Sequence, residues 1–375
     1  MQLLDSLPNQ LPATAPERVL DSLQDIANKV QIQSNFCISH PTYKPLELPA
    51  EVVARFQRIP LDLQNKYLSL QLRGFLYGIY YNGSMQTALA ADASSDNLAL
   101  HQNLENNTFL GVDLEFYDRL HKSNTGKGYF DPGWSVLRQE SDGSLAVIKG
   151  GLTLHIERES VALPKEARYL QLAEQSAAIG DLVAIRMPRN LVQNGFYMAV
   201  SNAGPDTHPQ TVRVYFNLSP EGAVAVMESL TQQLNEIRIP FTFKVLYNPS
   251  DYGRYDSGVL YFERSNYEAV RQVLTSVYAE ARSHFRTEVP LFTKLLAPGV
   301  GLAEEPDYKF AAQESFGMNR CQIVANGLLS ARLQGDESPD SRLASIHQHF
   351  SILGIDWQRA YLNANSEDIY TPLNL

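Results

Sequence analysis

The chain has 375 residues, enough for two or three domains of about 150 residues, and it can bury a sizeable core without disulfides or metal. Its 31 Lys and Arg against 41 Asp and Glu give a formal net charge of −10, which argues against general binding to nucleic acid or anionic membranes but leaves room for a small basic pocket. An apolar share of 44% with 19% charged residues excludes a disordered chain.

Two cysteines, Cys37 and Cys321, are too few for a disulfide scaffold and fit a reducing compartment. Met1 to Gln10 lacks the basic and apolar parts of a signal peptide, and no apolar run reaches about 18 residues, so a soluble cytoplasmic protein is expected.

Pro8, Pro12 and Pro16 punctuate a short lead. From Glu17 to Ile32 the apolar positions Val19, Leu20, Leu23, Ile26, Ala27 and Val30 repeat at helical spacing. Leu68, Leu72, Phe75, Leu76, Ile79 and Tyr80 do the same within Leu61 to Tyr81. Residues 1–95 therefore read as a helical region. Its stripe from Leu68 to Tyr80 is too apolar to face water and is expected to pack on the rest, because burial stabilises by about 25 cal/mol per Å². The polar stretch Asp92 to Asn107 reads as a linker or exposed loop.

Beyond it the texture changes. Ser135–Arg138, Leu145–Lys149 and Leu152–Ile156 read as strands separated by Gly143 and Gly150-Gly151. Leu182–Arg186, Phe196–Ser201, Arg213–Asn217, Phe241–Leu246 and Gly258–Phe262 read as further strands, with helices over Gly222–Ile237 and Asn266–His284. Hairpin strands with interposed helices predict an α+β fold: a twisted, mainly antiparallel sheet with flanking helices over residues 96–375, with the N-terminal helical region packed on it.

Common catalytic motifs are missing. Thr125-Gly126-Lys127-Gly128 only resembles the tail of a phosphate-binding loop, and Gly299-Val300-Gly301 lacks the third glycine of a dinucleotide fingerprint. No G-x-S-x-G, H-E-x-x-H or paired C-x-x-C occurs. His347 and His349, two apart in a helical pattern, diverge and read as ordinary helix residues rather than a metal pair. Metal-dependent hydrolases and serine-triad enzymes are therefore not expected.

What stands out is a set of cations inside apolar, strand-like segments. Lys149 follows Ala146-Val147-Ile148, Arg186 follows Val183-Ala184-Ile185, and Arg213 precedes Val214-Tyr215-Phe216. Lys244 lies in Phe241-Thr242-Phe243-Lys244-Val245-Leu246, Arg254 in Tyr252-Gly253-Arg254-Tyr255-Asp256, and Arg320 follows Ser315-Phe316-Gly317-Met318-Asn319. Lys and Arg are rarely buried without partners, so each asks for an anion. Any one of them could be the outward residue of an alternating strand, and Asp256 could simply pair with Arg254. Taken together, Arg186, Arg213, Lys244, Arg254, Lys294 and Arg320 are expected to place at least four members around one concave basic site, because a phosphate needs converging donors. A second constellation, Arg119-Leu120-His121 through Gly128 and on to Asp131-Pro132-Gly133-Trp134, reads as a loop. His121 is a candidate acid or base there, weighed against an ordinary surface histidine.

Tyr77 to Gly83, Leu120 to Trp134, Arg186-Met187-Pro188, Gly195-Phe196-Tyr197 and Arg213 to Leu218 follow a familiar order. So do Leu234-Asn235 to Lys244, Arg254-Tyr255-Asp256 to Tyr261, Pro290 to Lys294 and Ser315 to Cys321. Over about residues 70 to 335 this ordered set resembles the HopA-type effector family, named after a type III secreted protein of plant-pathogenic bacteria. Members outside secretion systems occur beside aminoglycoside-phosphotransferase-like kinases in pathways to class V lanthipeptides and thioamide-containing peptides. The resemblance implies a cytoplasmic lyase working after such a kinase. It would eliminate phosphate from phosphoserine or phosphothreonine of a precursor peptide, leaving dehydroalanine or dehydrobutyrine; from the acidic charge balance, no nucleic-acid or membrane partner is expected. A phosphopeptide- or leader-peptide-binding module without chemistry, or a secreted effector acting on host proteins, are the alternatives.

Such an elimination removes a weakly acidic α-proton and expels phosphate. It needs a neutral base, donors for the developing charge and an acid for the leaving group. No metal or organic cofactor is required. In the phosphothreonine lyases that the family is said to resemble in fold, a basic-x-His element precedes the base lysine. Arg119-x-His121 precedes Lys149 in similar order, which implies His121 as acid and Lys149 as base, with Lys244 as the alternative base. Arg119, Arg186, Arg213, Arg254, Lys294 and Arg320 are the implied phosphate and substrate ligands, supported by Asp256 and Tyr215.

Overall fold

A computed structural model describes residues 15–90, 102–103, 108–109, 111–157, 161–162, 177–206 and 209–375. Most of the polar stretch 92–107 lies outside the described residues.

Helix α1 (Ala15–Lys29) buries Val19, Leu23, Ile26 and Ala27, the stripe expected from spacing. It stops short of Ile32 because the chain turns into a small antiparallel sheet of β1 (Gln31–Ser34), β2 (Cys37–His40) and β3 (Tyr43–Glu47), where Ile32 pairs with Ile38. Each of these strands is too short for its alternation to stand out. Helices α2 (Ala50–Phe56) and α3 (Leu61–Leu76) follow, and α3 runs into a π-helical turn, Tyr77–Tyr81. Strands β4 (Gln102–Asn103) and β5 (Thr108–Phe109) form a minimal pair. Helix α4 (Leu114–Ser123) is capped by the Asp113 carboxylate, which accepts from Phe116 N at 2.9 Å. It buries Phe116 and Leu120. His121 therefore rides on a helix, not on the expected loop.

Strands β6 (Tyr129–Gln139), β7 (Leu145–Lys149), β8 (Leu152–Ile156), β9 (Val161–Ala162) and β10 (Leu182–Met187) form a five-stranded sheet in the order β8-β7-β6-β10-β9. It has a small core of its own, built from Trp134, Val136, Leu145, Val147, Val183 and Ile185. The remaining elements are β11 (Asn190–Gln193), β12 (Phe196–Val200), β13 (Thr211–Phe216), α5 (Pro220–Glu236), β14 (Thr242–Leu246), β15 (Gly258–Glu263), α6 (Tyr267–Ala281), β16 (Lys294–Ala297), β17 (Val300–Glu304), α7 (Phe316–Gln334) and α8 (Pro339–Ile352). Their strands make a seven-stranded sheet in the order β11-β12-β14-β15-β13-β17-β16, antiparallel throughout. The fold is α+β with antiparallel sheets.

Register decides which residues share a face of this sheet. Met198, Lys244, Val259 and Tyr215 pair across β12, β14, β15 and β13, and Thr242, Tyr261 and Arg213 form the next row of the same face. The opposite face carries Tyr197, Val245 and Phe216. It meets α4 and α6, as the ring contacts Tyr117–Tyr197, Phe216–Phe285 and Tyr278–Phe285 show. The first face is roofed by the π-turn and α7, with Tyr81 and Phe316 against Tyr215.

The N-terminal helices share the main core with this sheet. Ser69 of α3 accepts from Gln322 of α7 at 2.9 Å, Arg342 of α8 donates to the Val30 carbonyl at 2.9 Å, and Arg18 of α1 donates to the Val289 and Thr293 carbonyls, each at 2.9 Å. Gly317 permits the close approach of α7 to the π-turn, because a Cβ there would overlap the Tyr81 ring.

Candidate functional site

The covered face of the seven-stranded sheet encloses a cavity of about 400 Å³. Its floor is Phe196, Arg213, Tyr215, Lys244, Val259 and Tyr261, brought together by the period-2 alternation of β12 to β15. Tyr77 and Tyr81 of the π-turn, with Arg73 one turn earlier, form one wall. Arg254 and Asp256, on the connection from β14 to β15, form another, and Glu314 and Ser315 at the start of α7 close the third.

Four cations thus meet two carboxylates and four tyrosines. Arg254 is 2% exposed and grips Asp256 bidentately, at 2.5 Å from Nε and 3.0 Å from Nη2. Asp256 also accepts from the Tyr77 hydroxyl at 3.3 Å and from Asn82. Arg213 donates through Nε to Glu305, which Lys309 holds from the other side, and stacks on the Tyr261 ring at 5.1 Å. Burial raises the Glu305 pKa, but the charge and hydrogen bonds of Arg213 and Lys309 outweigh it and hold the carboxyl below its usual range.

Lys244 has no carboxylate within ion-pair distance among the described residues. Its ammonium donates to Gln193 at 3.2 Å and lies over the Phe196 and Tyr261 rings at 4.5 and 5.4 Å. The Tyr215 hydroxyl is buried at the floor, where the Tyr81 hydroxyl is its neighbour. Burial raises its pKa, more than the Arg213 charge lowers it, so it keeps its proton at neutral pH.

Of the six cations expected to converge, Arg213, Lys244 and Arg254 line this cavity, one short of the four expected. Arg186 is exposed and, among the described residues, reaches only the Lys127 carbonyl at 3.4 Å. Lys294 pairs with Asp368 at 2.7 Å. Arg320, 1% exposed, donates to the Ala360 and Leu362 carbonyls at 2.8 and 3.0 Å and straps the C-terminal segment to α7. Burial lowers its pKa to about 10.

His121 and Lys149 do not approach one another's surroundings as expected. Lys149 ends β7 in the other sheet, where Asp131 takes its ammonium at 2.8 Å. His121 sits against the Tyr197 hydroxyl at 3.2 Å, on the face of the seven-stranded sheet opposite Lys244. Burial, then Arg189, lowers its pKa against Asp118. Arg119 is exposed beside the Phe116 ring. His347 stacks on Trp357 while His349 bonds Ser330, so the two histidines diverge.

Sequence reasoning missed Arg73, Tyr81, Tyr261 and Glu314. Arg73, Tyr77 and Tyr81 are spaced i, i+4, i+8 through the end of α3, a polar seam in an otherwise apolar run that marks one helix face.

The fold and cavity describe an α+β protein with a basic, tyrosine-lined pocket on one covered sheet face. Residues 187–362, which carry the pocket's floor and the start of α7, match the HopA1 effector protein family. The chain is also similar to two solved structures of effector proteins. The one from Pseudomonas syringae pv. syringae strain 61 is 14% identical, with a TM-score of 0.43, over 93% of this chain and 99% of that chain. The one from Pseudomonas syringae pv. tomato strain DC3000 is 16% identical, with a TM-score of 0.40, over 79% of this chain and 99% of that chain. No curated protein matches the chain. Among the described residues no helix is long and apolar enough to cross a membrane.

Proposed function

We propose that this cavity binds a phosphoserine or phosphothreonine side chain of a kinase-phosphorylated peptide and eliminates its phosphate, a lyase reaction of peptide natural-product assembly. The observation that carries the reading is the meeting of Arg73, Arg213, Lys244 and Arg254 in one pocket of a net-acidic chain. Arg213 and Arg254, each fixed by a carboxylate, supply oriented positive charge for the phosphate.

The base moves from Lys149 to Lys244, because Lys244 alone of the two faces this pocket. The Lys244 side-chain nitrogen takes the α-proton. The C–H electron pair becomes the Cα–Cβ double bond, the Cβ–O bond breaks, and its pair leaves with the phosphate. The protonated Tyr215 hydroxyl, which lines the cavity floor, donates a hydrogen bond to a departing oxygen in place of His121.

Incubation with a phosphoserine or phosphothreonine peptide, followed by mass spectrometry, tests the reading. Loss of the elements of phosphoric acid, giving an alkene, supports it; an alcohol product or an unchanged peptide overturns it. The cavity lining holds no histidine, which favours as second reading a phosphopeptide-binding module. It would show binding in the same samples with no mass change.

A further inference from the structure

The cavity's polar groups are unequally satisfied. Arg254, Arg213 and Lys244 each have a hydrogen-bonded partner, whereas Arg73 and Glu314 face one another loosely, with Nη1 and Oε1 3.9 Å apart. That is too far for a hydrogen bond. Among the described residues Arg73 Nε is buried without a hydrogen-bond partner, and so is Glu314 Oε1. The Glu314 side chain is 1% exposed and rigidly set. Its Oε2 accepts from Phe310 N and from Asn319 Nδ2, both at 2.9 Å, and Ser315 beside it caps α7. A buried donor and a buried acceptor therefore stand side by side in the pocket wall with their hydrogen bonds unmade, an arrangement native proteins seldom keep without use.

Phosphate does not fit that corner, because the Glu314 carboxylate repels a dianion while Arg213 and Arg254 offer it charge elsewhere. A neutral group with one acceptor and one donor does fit, and the peptide unit is that group. We propose that Arg73 and Glu314 form a backbone clamp: Arg73 donates to a carbonyl, and Glu314 Oε1 accepts an N–H, of the amides flanking the phosphorylated residue. The site then selects phosphorylated peptides over free phosphoamino acids, sugar phosphates and other small phosphate esters. This rests on the phosphopeptide reading and names what that site adds to phosphate recognition.

The test measures binding of an acetylated, amidated phosphoserine peptide and of two depsipeptides in which the amide N–H before or after phosphoserine is replaced by an ester oxygen. Inorganic phosphate, as a competitor, reports the anion site alone. The wild-type protein should bind one of the two esters about tenfold more weakly than the amide, the scale of one lost hydrogen bond. Glu314→Gln should lose that discrimination and hold inorganic phosphate as well as before or better. Equal binding of all three peptides by the wild type, or undiminished ester discrimination in Glu314→Gln, overturns the clamp while phosphate competition leaves the anion site standing. If neither phosphate nor any peptide binds, the phosphopeptide reading falls and the clamp with it.

Discussion

Lys244 and Lys149 both sit in apolar strands, yet their surroundings divide them. Lys149 is held by Asp131 and the Pro132 carbonyl in an exposed corner, while Lys244 lies over two rings beside three arginines. Lys244→Ala should lower turnover of a phosphopeptide at least about 100-fold, the usual reach of a positioned base, with binding changed only a few-fold. Lys149→Ala should stay within about twofold, as exposed ion pairs contribute little. Single-turnover kinetics with separately measured Kd check both, and the reverse pattern would return the base to Lys149. Acid sensitivity belongs to this scale too. Burial raises the Asp368 pKa, but the hydrogen bonds from Lys294 and Tyr361 pull it below the ordinary range. Glu305 is lowered likewise by Arg213. A depressed folded-state value means stability present above the unfolded pKa of about 4 and lost as pH falls through the folded value. Urea unfolding across pH 2–7 should show stability declining below about pH 4, with a smaller decline in Lys294→Ala; an unchanged slope in that variant would remove the Lys294 contribution.

At the scale of elements, the π-turn and α7 set the shape of the pocket. Gly317 lets the two meet, and Tyr81 fills the space its missing Cβ leaves. Gly317→Ala should therefore cost about 1–3 kcal/mol by overpacking, despite the better helix propensity of alanine. Gly74, with open space around its Cβ position, provides the contrast: Gly74→Ala in α3 should stabilise by a fraction of that. Denaturant midpoints of the two variants decide the matter. The C-terminal segment shows the same dependence on partners. It has no long helix or strand, yet Tyr361, Leu362, Tyr370 and Leu373 are buried, held by Arg320, by Lys294–Asp368 and by Leu373 N on the Leu296 carbonyl at 3.0 Å.

Across the whole molecule there are two cores of very different size. The main one runs from α1 to the C-terminal segment through the seven-stranded sheet; the other holds six buried side chains between β6, β7 and β10. A small core has less apolar area to set against chain entropy, so the five-stranded sheet should open at lower free energy than the rest. The two tryptophans report on this separately, Trp134 in the small core and Trp357 stacked on His347. Fluorescence of a Trp357→Phe variant should change at lower denaturant than that of Trp134→Phe; coincident transitions would show one cooperative unit.

The sequence by itself determined many of the elements and part of the material of the site. The helical stripes of α1 and α3, and the strands β7, β8, β10, β12, β13, β14 and β15, followed from local periodicity, because a helix or strand face needs only neighbours a few residues apart to be visible. Arg213, Lys244, Arg254, Asp256 and Tyr215 stood out for a related reason: charge and hydroxyls inside apolar strands are costly and therefore conspicuous. Tertiary structure decided which of them meet. Lys149, Arg186, Lys294 and Arg320 have the same local texture as Lys244, but a different sheet, an outer strand face, the Asp368 carboxylate and the carbonyls of the C-terminal segment claim them. His121 and Lys244 are separated by the thickness of a sheet, a division that depends on register across four strands. Arg73 and Glu314, 241 residues apart in sequence, become neighbours only where α3 packs on α7, and no local pattern records that distance.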